Sequence, residues 1–147
     1  MKYLKLILLM GSICSVMSCK TKETIFNPST YEKPMITFGS GGGFTGRVIS
    51  YSLTSGGDLY TSNHDQYTLL GKADKKVVNQ IFANYKSLGL KELMLDEPGN
   101  KYYFIEFKSK DINKNLKWGL NPLDNKNLSV FYNILLDLSS KMMPEDK

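Results

Sequence analysis

The glycines between Gly41 and Gly46 are the residues whose spacing most resembles a chemical motif. The run Gly41-Gly42-Gly43-Phe44-Thr45-Gly46 matches the pattern G-x-G-x-x-G, whose backbone amides cradle nucleotide phosphates in many proteins. The dinucleotide form of this motif needs a helix directly after the glycines, but residues 47–53 alternate as a strand does. No Gly-Lys-Ser/Thr follows the cluster either. We therefore predict no nucleotide and no cofactor here, and the glycines form either a structural hairpin or a contact surface.

The side chains that could carry catalysis or bind a metal are sparse. His64 is the only histidine, so a zinc site would need carboxylates for its other ligands, which is uncommon. His64-Asp65 could assist a serine nucleophile, but no G-x-S-x-G elbow accompanies the pair. The run Asp111-x-Asn113-x-Asn115 opens like a calcium loop and then departs from it, because the sixth position is Leu116 and not glycine. We predict no catalytic and no metal-binding residues.

The first nineteen residues have the charge pattern of an export signal. Lys2 and Lys5 give a positive start, and no charged residue follows until Lys20. The apolar run between them, residues 6–17, is too short to span a bilayer stably. It ends in Val16-Met17-Ser18-Cys19, which resembles the lipobox of bacterial lipoprotein precursors: an aliphatic residue, a small residue and then the cysteine.

The lipobox resemblance implies a modification and a location. It implies a signal peptide at residues 1–18, cleavage after Ser18, and acylation of Cys19 with palmitate-type chains. Lys20 follows the cysteine, and by the same analogy this permits transfer to the outer membrane. The alternatives are a plain secretory signal or a buried N-terminal helix. With Cys19 lipidated, the mature chain has no free thiol and no disulfide.

Composition and charge narrow the range of partners. The chain has 147 residues, of which 41% are hydrophobic and 22% are charged, as in ordinary globular proteins. Its formal net charge of +5 comes mostly from lysines that are scattered among acidic residues. A protein exported to the envelope rarely meets nucleic acid, so we predict none as a partner.

The body after the signal separates into a tether and one domain. Residues 19–33 are mostly polar and predict a flexible tether, whose Ile25-Phe26 pair could dock on the domain. Residues 34–147 form the domain. Its predicted strands are residues 35–38, 47–53, 59–61, 67–70, 101–108 and 116–118. Its predicted helices run from Asp74 to Leu88 and over about residues 124–141, and a turn at 96–100 and a loop at 111–114 connect the later elements.

The element order predicts the fold class. Short hairpins favour an antiparallel sheet, and each helix carries a single apolar stripe. Helices of this kind need one sheet face to cover. We predict an α+β domain of two layers, with a mainly antiparallel sheet, two helices on one face, and the order strands, helix, strands, helix.

Aromatic residues on the free sheet face are the remaining functional signal. Alternation along residues 101–108 places Tyr102 and Phe104 on the face that the helices leave uncovered. Exposed apolar patches of this kind mark partner surfaces, unless the Ile25-Phe26 pair covers them. The predicted partner-binding residues are Gly41, Gly42, Gly43, Phe44, Thr45, Arg47, Tyr102 and Phe104.

These observations predict a lipid-anchored, non-enzymatic binding or assembly module of the bacterial cell envelope, with an unidentified protein partner. The body resembles the small α+β envelope lipoproteins of unknown function. The alternatives are a lipid-anchored inhibitor of a periplasmic or foreign hydrolase, which would use the glycine loop as a wedge, and a small hydrolase that uses His64 or a carboxylate pair.

Overall fold

The computed structural model describes residues 26–63, 66–119 and 125–143. Strands come first, then a helix, then further strands and a final helix, which confirms the predicted α+β class and element order. The elements are β1 Met35–Gly42, β2 Ile49–Thr54, β3 Asp58–Asn63, β4 Gln66–Lys72, α1 Lys75–Ser87, β5 Asp96–Glu97, β6 Lys101–Lys108, β7 Asn113–Gly119 and α2 Lys126–Met142. None of the helices within these residues is long and apolar enough to cross a membrane.

The strands form one seven-stranded sheet in the order β4-β3-β2-β1-β6-β7-β5. Every neighbouring pair is antiparallel except β5 and β7, so the sheet is mixed but mainly antiparallel as predicted. The parallel pair corrects the sequence prediction, which made Asp96 and Glu97 part of a turn. The chain passes beside β7 at this point, and the amide of Lys117 donates to the carbonyl of Leu95 at 2.9 Å. The edge of β7 that faces away from β6 therefore pairs with the short strand β5.

The first strand is longer than the sequence predicted. Residues 39–42 were expected to leave the sheet after Phe38, but they continue β1 and pair with residues 101–104 of β6. The two long neighbours of β1 supply its backbone partners, and this pairing outweighs the low strand propensity of glycine. β7 likewise begins earlier than predicted, at Asn113, because the amide of Ser109 donates to the carbonyl of Ile112 at 2.7 Å and closes a tight turn.

Side-chain caps fix the start of both helices. Asp74 accepts the backbone amides of Lys76 and Val77 and begins α1, as predicted. Asn125 accepts the amide of Leu128 at 3.0 Å and begins α2. Helical spacing predicts an apolar stripe on α1 that begins with Val77 and Val78. The structure buries Val78, Ile81 and Tyr85 but leaves Val77 exposed, so the predicted stripe is one residue too wide.

The hydrophobic core contains residues of the sheet and of both helices. By register, the buried residues of five strands are cross-strand neighbours on one face of the sheet, which we call the core face: Ile36, Phe38, Leu53, Leu59, Ile105, Phe107, Leu116 and Trp118. Tyr85 of α1 stacks on Phe107 with ring centroids 4.3 Å apart. Tyr132 of α2 meets Trp118 edge to face at 5.2 Å. These contacts make one contiguous core.

Candidate partner-binding surface

The sheet face opposite the core carries the predicted contact residues, and we call it the second face. Because side chains alternate along a strand, its residues lie between those of the core face. Register places Gly41 opposite Tyr102, and Gly39 opposite Phe104. On β2 and β3 the same face carries Ser50, Ser52 and Tyr60.

Part of the second face is covered by the chain itself, by the segment Phe26–Pro34. The ring of Phe26 stacks on Tyr60 with centroids 3.8 Å apart and planes 5° from parallel, and it meets Tyr67 edge to face at 5.6 Å. Further along the segment, the Lys108 ammonium donates to the carbonyls of Pro28 at 2.8 Å and Ser29 at 3.1 Å. Since Tyr60 is on β3 and Lys108 on β6, the segment crosses β2 and β1 between them.

The crossing segment explains three buried residues on the second face. Met35, Ser52 and Thr54 are at most 2% exposed although they point away from the core. The amide of Ser55 donates to the carbonyl of Pro34 at 2.9 Å, which closes the segment against the sheet. The predicted docking of the Ile25-Phe26 pair is therefore seen for Phe26, while Ile25 lies outside the described residues. Phe26 contacts β3 and β4, so it leaves Tyr102 and Phe104 on β6 open.

Backbone carbonyls of neighbouring residues approach β1 so closely that two of its positions, 39 and 42, accommodate only glycine. A Cβ on Gly39 would overlap the carbonyl oxygen of Ile49, and one on Gly42 would overlap that of Asn100. Gly42 also has a φ of 86°, in the region that other residues rarely adopt. The phenol of Tyr132 donates to the Gly39 carbonyl at 2.9 Å, and burial raises the pKa of this phenol. Neutral Tyr132 thus holds β1 from the core side.

Tyr102 lies across the glycine strand on the second face. A Cβ on Gly41 would be 2.7 Å from the Tyr102 hydroxyl, so the ring occupies the space that a side chain would fill. The Lys117 ammonium is 5.2 Å from the centroid of the same ring, within the range of a cation–π contact. Phe104 lies beside it, with centroids 6.3 Å apart. The two predicted aromatic residues are half-buried neighbours.

The turn from β1 to β2 holds the most exposed aromatic ring among the described residues. Its base is fixed by the amide of Gly43, which donates to the carbonyl of Asn100 at 2.7 Å, and by the amide of Gly46, which donates to Gly43 at 3.2 Å. Phe44 at its tip is 108% exposed, and Val48 and Ile49 are about half exposed. Thr45 and Arg47 are exposed as well. A structured backbone thus presents apolar side chains to solvent.

The structure separates the predicted contact residues into two groups. Gly41, Tyr102 and Phe104 share the second face, and Gly43 to Arg47 form the turn at the end of β1. Gly42, the last residue of β1, lies opposite Lys101 and joins the two groups. Sequence reasoning missed Ile49, because the alternation of residues 47–53 predicts Ile49 on the same face as Tyr51 and Leu53, whereas Ile49 is exposed at the start of β2. It also missed the cluster of Phe26 with Tyr31, Tyr60 and Tyr67, for which only the abundance of tyrosine gave a signal.

The residues that the sequence suggested as candidates for metal binding or catalysis lie only partly within the described part of the chain. These residues contain no group of three His, Cys, Asp or Glu side chains that could hold a metal. A cavity of about 700 Å³ at the start of α1 is lined by Lys72 and Lys75 and by one carboxylate, Asp74. That carboxylate already accepts two backbone amides as the helix cap. The predicted lipidation site Cys19 and the candidate pair His64-Asp65 lie outside the described residues.

No protein-family model matches the chain, and no curated protein sequence matches it either.

Proposed function

We propose that this chain is a lipid-anchored, non-enzymatic binding or assembly module of the bacterial cell envelope. The observation that carries the proposal is the complete exposure of Phe44 on a turn whose backbone is held by hydrogen bonds. An exposed aromatic ring on a structured turn has no stabilising role in the monomer, and aromatic anchors dominate many protein interfaces. The partner surface comprises this turn together with Tyr102 and Phe104.

We infer a two-layer domain in which both helices cover the core face. The stacking of Tyr85 on Phe107 supports this placement for α1, and the edge contact of Tyr132 with Trp118 supports it for α2. The arrangement leaves the second face to the segment Phe26–Pro34 and to a partner. It therefore accounts for aromatic residues on both faces of β6.

The proposed lipid anchor is joined to the docked Phe26 by a short stretch of chain. Phe26 lies seven positions after Cys19, and an extended chain spans at most about 3.4 Å per position, or about 24 Å in total. The domain would therefore stay close to the bilayer, which we propose is the outer membrane. A Cys19→Ser variant is expected to keep its signal or to become soluble. Unchanged mass and unchanged membrane fractionation would contradict the anchor.

A capture experiment tests the partner surface. The acylated chain, purified from membranes, is compared with Phe44→Ala and Tyr102→Ala variants for the envelope proteins that it retains. Met94→Ala is the matched control, because Met94 is 87% exposed and lies outside the proposed surface. We expect the two surface variants to lose proteins that wild type and control retain. Identical protein lists from all four would refute this surface.

The projecting turn also favours a second function, inhibition of a periplasmic or foreign hydrolase. Phe44 at the tip of a fixed turn has the form of a wedge that could enter a substrate cleft. The expected result is inhibition of at least one enzyme in a panel of lysozymes and proteases, reduced at least tenfold by Phe44→Ala. A panel with no inhibited enzyme would leave only the binding module.

A further inference from the structure

The segment Phe26–Pro34 covers the second face with a thin and polar contact. Six of its nine residues are exposed, and the other three are half-buried. The sheet beneath it presents hydroxyl groups, since Ser52 and Thr54 are buried there and Thr37 shares a hydrogen bond of 3.1 Å with Ser52. A contact that buries little apolar surface opens more easily than a hydrophobic core, so this segment is the part of the described chain that is best suited to release.

The attachments of this segment combine one aromatic side chain with backbone carbonyls. The ring of Phe26 packs on the sheet, stacked on Tyr60 at 3.8 Å and edge to face with Tyr67 at 5.6 Å. The Lys108 ammonium donates to two backbone carbonyls of the segment, at 2.8 and 3.1 Å. Every residue offers a backbone carbonyl, so these hydrogen bonds do not depend on the side chains of the segment. The site on the sheet therefore suits any peptide in which an aromatic residue precedes free carbonyls.

A row of small residues connects this site to the proposed partner surface. By register, Tyr67 lies opposite Ser62, Ser62 opposite Ser50, Ser50 opposite Gly39, and Gly39 opposite Phe104. The row crosses from β4 to β6, which is four strand spacings or about 19 Å. Between its two aromatic ends it carries only serine and glycine. A peptide bound at Phe104 can therefore lie along this row and reach the position that Phe26 occupies.

We propose that the segment Phe26–Pro34 is a displaceable latch on a peptide-binding site. The ligand is a peptide segment of the partner that carries an aromatic side chain. Its ring replaces Phe26 on Tyr60, and its backbone carbonyls accept hydrogen bonds from Lys108. The two occupants exclude each other, because a ring stacked at 3.8 Å leaves no room for a second one on the same side of Tyr60. This inference rests on the proposed function for the existence of a partner and adds the chemistry that the partner presents.

Release of the segment would lengthen the connection to the proposed lipid anchor. With Phe26 docked, the connection from Cys19 spans seven positions and at most about 24 Å. After release the domain is still held at Pro34, whose carbonyl accepts the Ser55 amide at 2.9 Å. Pro34 lies fifteen positions after Cys19, which allows a reach of about 51 Å. Partner binding and distance from the bilayer are thus coupled, because each favours the released segment.

Binding of a synthetic peptide tests the site. The probe is the peptide of residues 26–31, Phe-Asn-Pro-Ser-Thr-Tyr, which contains the ring and both carbonyls that contact Lys108. NMR titration measures its affinity for the mature chain in detergent. Phe26→Ala weakens the competing segment, so we expect this variant to bind the probe about tenfold more tightly than the wild type does. Met94→Ala is the matched control and should bind like the wild type, because Met94 is exposed and lies outside the site.

Proteolysis of the wild type measures displacement. The probe contains no glutamate, so a glutamate-specific protease can report opening at the exposed Glu32 while the probe is present. We expect the probe to accelerate this cleavage about threefold or more, and a probe with alanine in place of its phenylalanine to have no effect. The proposal is overturned by absence of binding to Phe26→Ala at about 5 mM probe, by equal affinities of Phe26→Ala and the wild type, or by unchanged cleavage. A mass spectrum without lipid would overturn the anchor and the change in reach, whereas the peptide site would stand.

Discussion

The hydroxyl groups of two buried tyrosines differ in their hydrogen bonding. The Tyr132 hydroxyl donates to the Gly39 carbonyl at 2.9 Å, whereas the Tyr85 hydroxyl is buried without a hydrogen-bond partner among the described residues. A buried hydroxyl costs free energy unless it is paired, so one tyrosine holds the fold together and the other weakens it. The ring of Tyr85 still contributes through its stack on Phe107.

Removing each hydroxyl should change stability in opposite directions. Tyr85→Phe keeps the ring and deletes an unpaired polar atom, so we expect the free energy of unfolding to rise by about 1 kcal/mol. Tyr132→Phe leaves the Gly39 carbonyl without its donor, so we expect a loss of about 1–2 kcal/mol. Denaturant unfolding of both variants measures the difference. Equal effects of the same sign would contradict the assigned hydrogen bonds.

The contact between Gly41 and Tyr102 can be measured as a coupling. An alanine at position 41 would meet the Tyr102 hydroxyl at 2.7 Å, so the ring must move away from Gly41 and from Lys117. We expect Gly41→Ala to cost about 1 kcal/mol more in the wild type than in a Tyr102→Ala background. A double-mutant cycle of unfolding free energies gives this number. A coupling of zero would mean that Tyr102 does not lie on the glycine.

At the scale of elements, the segment Phe26–Pro34 behaves as part of the domain. It is held at one end by the stack of Phe26 on Tyr60, and further along by Lys108. Its sequence is polar and contains no regular periodicity, so the sequence indicated only that the Ile25-Phe26 pair could dock on the domain. The cross-strand position of Tyr60, which decides where Phe26 docks, depends on how β3 pairs with β2.

Loss of the Phe26 ring should release this segment. The stack with Tyr60 and the edge contact with Tyr67 contribute beyond the area that they bury. We expect Phe26→Ala to raise the rate at which a glutamate-specific protease cleaves after the exposed Glu32 about tenfold, because local opening costs about 1.4 kcal/mol less. Phe44→Ala is the control, since that ring is fully exposed. Equal cleavage rates for the two variants would show that the ring does not hold the segment.

At the scale of the whole molecule, buried tyrosines make stability depend on alkaline pH. Burial, with a smaller effect of the Glu92 charge, raises the pKa of Tyr85 to about 12. Burial also raises the pKa of Tyr132, with smaller effects of the Tyr103 and Tyr51 charges. The folded protein therefore keeps protons that the unfolded chain releases above its ordinary tyrosine pKa of 10.0. Their contribution is complete below that pKa and decreases above it.

The free energy of unfolding should therefore fall as the pH rises above the ordinary tyrosine pKa. Between pH 10 and about 12, each buried tyrosine should lower the free energy of unfolding by about 1.4 kcal/mol per pH unit. Urea unfolding at several pH values measures this slope. Comparison of wild type with Tyr85→Phe isolates the share of Tyr85, because the two proteins differ only in that hydroxyl. A slope unaffected by Tyr85→Phe would contradict the raised pKa of Tyr85.

The sequence by itself determined the class of the fold and most of its elements. Hydrophobic periodicity located both helices and most strands, because period 3.6 and period 2 are local properties of the chain. The Asp74 cap and the pairing of β6 with β7 followed from the same local patterns and from a short turn. The signal resemblance at Cys19 and the candidate residues of the turn were equally visible from residue types alone.

Only the tertiary structure decided what those residues do in space. Residues 39–42 became strand because β6 lies beside them, and Phe44 became the exposed tip because the turn begins after Gly42. Sheet order made β4 an edge and placed Phe26 on Tyr60. These outcomes depend on contacts between residues far apart in sequence, whose pairing free energies no local pattern contains.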